Sequence, residues 1–192
     1  TINQRGFEPI KHKLDQIDAI KDIPSLINFT ANEPKVGNRS IIEFGIWPDN
    51  KNSNINIAHV TQGGLGLPDR DYYFKTDSET AATQQAYKEY LKKLFTLTGS
   101  DEATAAKNAD LVYGIEKQFA LAHKNNIEMR DVNGNYKKVS VTALNKKEPN
   151  LGWSGFLKTI GAETDSIDVP QHAYYEKLNS MLKSVSLNDW KI

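Results

Sequence analysis

The sequence predicts a mainly α-helical fold interrupted by one β-hairpin. Two observations carry that expectation. Apolar residues recur at intervals of three and four along most of the chain, which lines one side of a 3.6-residue helix. Between about residues 40 and 61 the interval drops to two, around the turn-forming run PDNKNSN, as in two paired strands.

The elements follow in order. Phe7, Ile10, Leu14 and Ile17 mark one face of a first helix, with Lys11, Lys13, Asp15 and Asp18 on the other side. Pro9 is tolerated because N–H groups of a first turn lack an intrahelical acceptor. A short helix is expected from Pro24 to Asn32, started by Asp22 or Ile23. The hairpin strands fall at about 40–47 and 54–61. Ile42, Phe44 and Ile46 share one face of the first, and Ile55, Ile57 and His59 one face of the second. From Ser78 the pattern is helical again: Tyr87, Tyr90, Leu91, Leu94 and Leu97 form a stripe that Gly99 closes. Ser100 or Asp101 caps another long helix, with Val112, Ile115, Phe119 and Ala122 inward. NNIEMRDVNGNYKKVS breaks it, with a tight turn at Asn133–Gly134. Short helices are expected near Val141 to Asn145 and over WSGFLKTIG, ending at Gly161. DSIDVP is extended, and QHAYYEKLNSMLKSV turns Tyr174, Leu178, Met181 and Val185 inward.

Composition narrows the function classes. The chain has 192 residues, enough to bury a core. Its 24 Lys+Arg balance 24 Asp+Glu, so no electrostatic ground exists for a nucleic-acid partner or an anionic membrane surface. No run of about 18 apolar residues spans a bilayer. Cysteine is absent, which excludes disulfides, thiolate zinc sites and cysteine nucleophiles within these residues. The start, TINQRGFEPIKHK, has neither Met nor the apolar centre of a signal peptide. The end, SLNDWKI, stops inside what reads as a helix start. Both ends lead us to expect a segment of a longer polypeptide.

The densest candidate for chemistry is HVTQGGLGLPDRDYYF, from His59 to Phe74. Gly64 and Gly66 begin a dinucleotide fingerprint, but Asp69 stands where the third glycine belongs. No Gly-Lys-Ser/Thr follows, and Pro68 removes an N–H that would cradle phosphate. The structural reading is stronger: the glycines shape the backbone, Asp69, Arg70 and Asp71 lock the turn, and Tyr72 and Tyr73 anchor it. His12, His59, His123 and His172 lack metal-ligand spacing, and no HExxH is present. They read as surface or satisfied core. No GxSxG marks a nucleophile, and the pairs Asp69/Asp71 and Asp165/Asp168 read as loop carboxylates. Tyr87, Tyr90, Phe119 and Tyr174 read as core. Asn28-Phe29-Thr30 and Asn38-Arg39-Ser40 match the short N-glycosylation pattern. The expected catalytic, cofactor-binding and metal-ligating residues in this chain are therefore none.

Three features together resemble the N-terminal region of the neprilysin, endothelin-converting enzyme and PepO family of zinc metallopeptidases. They are Asn3, Gly6 and Pro9 opening a helix, the hairpin turn Asp49-Asn50-Lys51-Asn52-Ser53, and Gly66-Leu67-Pro68-Asp69-Arg70-Asp71-Tyr72-Tyr73. Weaker agreement continues through Ile115, Glu116, Ala120, Arg130, Asp131, Tyr136, Tyr175, Leu178 and Trp190. The resemblance implies two mainly helical lobes around a cavity. One lobe binds zinc through HExxH and ExxxD motifs; this chain is similar to the other, capping lobe. Zinc would then be bound outside this segment. The implied partners are the catalytic lobe of the same polypeptide and peptide substrates. The lack of cysteines resembles bacterial PepO-type members, with an expected location in the cell envelope or outside the cytoplasm. A stand-alone helical binding or scaffold module, or a catalytically dead homologue, is the alternative. If the chain is one lobe, apolar surface should be exposed at Gly63–Phe74 and near Trp190.

Overall fold

The computed structural model describes residues 2–192; Thr1 and the side chains of Ile2 and Asn3 lie outside the described residues, and with them the part of the family resemblance that rests on Asn3. The N-terminal stripe is not one helix. Gly6, with φ +52°, separates a single turn, α1 (Ile2–Arg5), from a 3₁₀ turn at Glu8–Ile10 and α2 (Lys11–Asp18). Phe7 and Ile10 stay 41% and 48% exposed. α3 (Ile23–Asn32) begins where expected. The Asp22 carboxylate accepts the Ser25 N–H at 2.8 Å, and the Ser25 hydroxyl accepts the Asp22 N–H at 3.0 Å. This reciprocal cap satisfies two otherwise orphaned donors.

β1 (Ile42–Asp49) and β2 (Asn52–Gln62) form the hairpin, antiparallel, with Phe44 opposite Val60 and Gly45 opposite His59. The expected one-sided alternation holds for neither strand over its full length. Ile46 and Ile55 are exposed near the hairpin tip, whereas Ile57, Ala58, His59 and Val60 are all buried. The base of β2 is covered on both faces. One face meets the core, and on the other the Trp47 ring folds over Gly45 and stacks on His59 at 4.2 Å.

α4 (Ser78–Leu97) and α5 (Glu102–Ala122) pack on each other, joined by a short turn. Two further strands join the hairpin: β3 (Lys138–Ser140) from the stretch read as a break, and β4 (Ser166–Asp168) from DSIDVP. The sheet order is β1-β2-β4-β3, with β2 and β4 parallel. α6 (Val141–Lys147), α7 (Trp153–Ile160), α8 (His172–Ser184) and α9 (Leu187–Trp190) complete the chain. The larger core joins this sheet to α3, α7 and α8 through Ile42, Val60, Ile167, Trp153, Phe156, Tyr174, Tyr175 and Leu178. A smaller core, with Leu67, Tyr73, Leu91, Ala109, Tyr113 and Ala120, joins the glycine stretch to α4 and α5.

Two expectations are corrected. Tyr90 is not core: it is 57% exposed, and Leu94 and Leu97 are exposed beside it. α4 rests on α5 and the 70–73 turn, so only the flank carrying Leu91 is covered. The apolar exposure expected at Gly63–Phe74 is largely covered, and near Trp190 it is confined to Ile192, which stays 41% exposed. Leu67 and Tyr73 are buried, Tyr72 and Phe74 pack on the smaller core, and Trp190 stacks on Phe119. The rings fold back onto α4 and α5, which buries more apolar area than projecting outward. Other exposed apolar side chains sit at Phe7 and Ile10, at Val36, on the hairpin, along α4, and at Leu121, Ile127 and Val132.

Candidate functional site

The glycine stretch is the joint between the sheet and the α4–α5 pair, and each of its glycines has a steric reason. A Cβ on Gly63 would lie 2.2 Å from the Ser40 carbonyl oxygen. One on Gly66 would lie 1.8 Å from the Tyr87 hydroxyl. Gly64 has φ +75°, a left-handed conformation that side chains resist, and faces the Phe119 ring. Its N–H donates to the Ser40 carbonyl at 3.1 Å.

Behind the turn, one carboxylate gathers two hydroxyls. Tyr73 and Tyr87 donate to the two oxygens of Glu116 at 2.8 Å each, and the Tyr73 oxygen accepts the Leu67 N–H at 3.1 Å. Burial pushes Glu116 up, and the same burial pushes both tyrosines above their ordinary range. Glu116 follows Ile115 at the edge of an apolar stripe. A carboxylate in that place is the only sign in the sequence that it is enclosed.

In front of the turn lies a cleft of about 520 Å³, lined by Gly63, Gly64 and Leu65 and by Arg39, Glu43, Arg70, His123, Lys124 and Met129, among others. His123 is buried, and its Nε2 lies 2.9 Å from the Gly63 carbonyl. Burial holds it down at about 4, so it is neutral at physiological pH and Nε2 must carry the proton it donates. Arg70 Nη1 donates to the His123 carbonyl at 3.0 Å. Gln62 bridges to Lys124 in both directions, donating to its carbonyl and accepting its N–H. Asp69 caps the 3₁₀ turn Arg70–Tyr73 through the Asp71 N–H and also accepts from Asn126. The turn-locking role expected of Asp69 is therefore met, but Arg70 turns to the end of α5 rather than to its neighbouring aspartates.

The other histidines are apart from this cleft. His59 Nδ1 lies 2.9 Å from Asp168 Oδ2, both buried, and Asp168 also accepts the Lys137 N–H. This pair ties β2 to β4. His172 lies 3.4 Å from the buried Glu148, and His12 is exposed. Among the described residues no group of three or more His, Cys, Asp or Glu side chains could hold a metal ion. Among the described residues no helix is long and apolar enough to cross a membrane.

Residues 1–192 match the N-terminal family model of peptidase family M13 over their whole length. The chain is 33% identical over 155 residues to endothelin-converting enzyme 1 of Cavia porcellus, covering 75% of this chain and 20% of that protein. Identity to the Homo sapiens enzyme is 32% over 154 residues, with the same coverage. Among solved structures, the Mycobacterium tuberculosis zinc metalloprotease Zmp1 superposes with a TM-score of 0.90 at 27% identity, over 99% of this chain and 29% of that one. PepO from Lactobacillus rhamnosis superposes at 0.77 with 16% identity, over 98% of this chain and 30% of that one, a likeness of fold alone. The chain thus spans about a fifth of the length of the curated relatives it matches.

Proposed function

Since this chain belongs to peptidase family M13, we propose that it is the substrate-capping part of a neprilysin-like zinc peptidase, with the catalytic machinery elsewhere in the polypeptide. The observation that carries the proposal is the pairing of full and partial coverage. The fold matches Zmp1 over 99% of its own length but accounts for 29% of that protease. Within these residues we find turn-locking, capping and core roles for the polar side chains, and we assign none to catalysis, cofactor or metal. The 192 residues act as one domain that walls a cavity, positions peptides and limits their size. Zinc would be held, and water activated for peptide hydrolysis, by the other lobe. The likeness to a mycobacterial protein and the absence of cysteine favour a bacterial, PepO-like parent working in the cell envelope or outside the cytoplasm.

The isolated 192 residues should bind no stoichiometric zinc and cleave no peptide. A polypeptide containing them together with an HExxH segment should hydrolyse short peptides and lose that activity to a chelator. Zinc-dependent hydrolysis by the 192 residues alone would overturn the assignment. A parent without HExxH would move the reading to a scaffold module or a catalytically dead homologue.

A further inference from the structure

The cleft in front of the glycine turn holds unused recognition groups. Leu65, on its wall, has no backbone hydrogen bond, so its N–H and carbonyl are free to pair with an extended chain. Arg39 is exposed and has no ion pair or hydrogen bond. Arg70 is held at the cleft by the one bond to the His123 carbonyl, and its Nε has no acceptor. The third cation, Lys124, is turned to Asn135 at 2.7 Å.

The two carboxylates on the same wall are already engaged by protein donors. Glu43 accepts the Ser40 N–H at 2.8 Å, and both Asp69 oxygens are bonded as described. Among the cleft's cations Arg39 is left without a partner and Arg70 keeps an Nε–H without an acceptor, while Glu43 keeps one oxygen unbonded. The volume, about 520 Å³, is in the range that takes a small ligand or a few residues of peptide.

From this arrangement we infer that the cleft is a subsite for an extended peptide bearing a carboxylate, with Leu65 pairing to the peptide backbone and the Arg39 and Arg70 guanidinium groups receiving the negative charge. It rests on the peptidase-lobe reading for its ligand class and adds to it a preference for acidic peptides. The carboxylate can come from an Asp or Glu side chain or from the peptide C-terminus.

Fluorescence anisotropy on the 192-residue chain separates these sources. Three labelled hexapeptides differ at one group each: an internal Glu with an amidated end, Gln with an amidated end, and Gln with a free carboxylate end. The Glu peptide, the free-end peptide or both should bind about fivefold tighter than the neutral one, with the gap closing in high salt. Arg39→Met, at an exposed and unpartnered side chain, should abolish the preference. Lys107→Met, an exposed cation on α5 outside the cleft, should leave it unchanged. Equal binding of all three peptides, no binding of any, or equal losses in the two variants would overturn the subsite. Peptide hydrolysis by the parent polypeptide is scored separately, so the subsite can fall while the lobe reading stands.

Discussion

At the scale of single residues, glycines and enclosed carboxylates decide what this chain tolerates. Gly66, in the glycine turn, and Gly114, inside α5, make opposite demands. A Cβ at Gly66 would collide with the Tyr87 hydroxyl at 1.8 Å and approach Glu116 at 3.0 Å, whereas one at Gly114, inside α5, would meet nothing within 4 Å. Gly66→Ala should therefore cost about 1–3 kcal/mol, and Gly114→Ala should add about 0.5–1 kcal/mol by restricting the unfolded chain and favouring helix. Urea unfolding of the two variants checks both signs. Glu148 supplies a pH-dependent case. It is fully buried, and its Oε2 accepts the Trp153 indole N–H at 2.9 Å. Oε1 and His172 Nδ1 face each other at 3.4 Å without another partner. Burial pushes Glu148 up; burial, and then the Lys147 charge, hold His172 down. A carboxyl raised on folding contributes its stability fully below its unfolded value near 4.5 and loses it as pH rises through the folded value. Lys147 and Glu176 flank the pair on the solvent side, and Lys137 adds a more distant positive charge. Glu148→Gln keeps the acceptor for Trp153 and offers an amide N–H to His172. It should be closest to the native chain at acid pH and become the more stable of the two as pH rises, the gap opening through the range in which the buried carboxyl would otherwise ionise. A pH-independent difference would mean that this carboxyl is not the titrating group.

At the scale of elements, two helix starts were legible as caps, Asp22 (offered with Ile23) and Asp101 (offered with Ser100), and the structure adds Asp77. A cap is a local bond between residues three apart, so its evidence sits in one short stretch of sequence. The two long helices start at Asp77 and Asp101, and each carboxylate accepts both the N–H and the hydroxyl of a threonine three residues on. Asp77→Ala and Asp101→Ala should each cost about 1 kcal/mol, read as a fall in the urea midpoint with little change in slope. Loss of several kcal/mol at either position would mean the side chain does more than cap. The strands were less legible. β3 and β4 have three residues each, too few for a period to register. Their pairing depends on a long-range partner, as in the parallel contact of His59 with Asp168. The Phe7 to Ile17 stripe reads as one helix because periodicity does not register the change from the 3₁₀ turn at Glu8–Ile10 to α2 at Lys11.

At the scale of the whole molecule, the two cores should differ in persistence. α8 contributes Tyr174, Tyr175 and Leu178, each fully buried, to the larger core, whereas α4 buries only Thr80 and Leu91. Local opening follows buried apolar contact. Backbone amides in the middle of α4 should therefore exchange with solvent faster than those of α8 under native conditions. Equal protection would show that the α4–α5 pair and the sheet-containing body open as one unit. The sequence by itself determined the mainly helical class, the hairpin, the capped helix starts and the family, because each is written in spacings of a few residues or in one continuous motif. Only the tertiary structure decided which face of α4 is covered, that β3 and β4 extend the hairpin, and that the rings after the glycine turn fold inward. It also decided that Tyr73, Tyr87 and Glu116 meet behind that turn while Arg39 and Arg70 line the cleft before it. Those outcomes rest on contacts between residues tens to more than a hundred positions apart. Such contacts are set by how the elements bury area against one another, which no local pattern encodes.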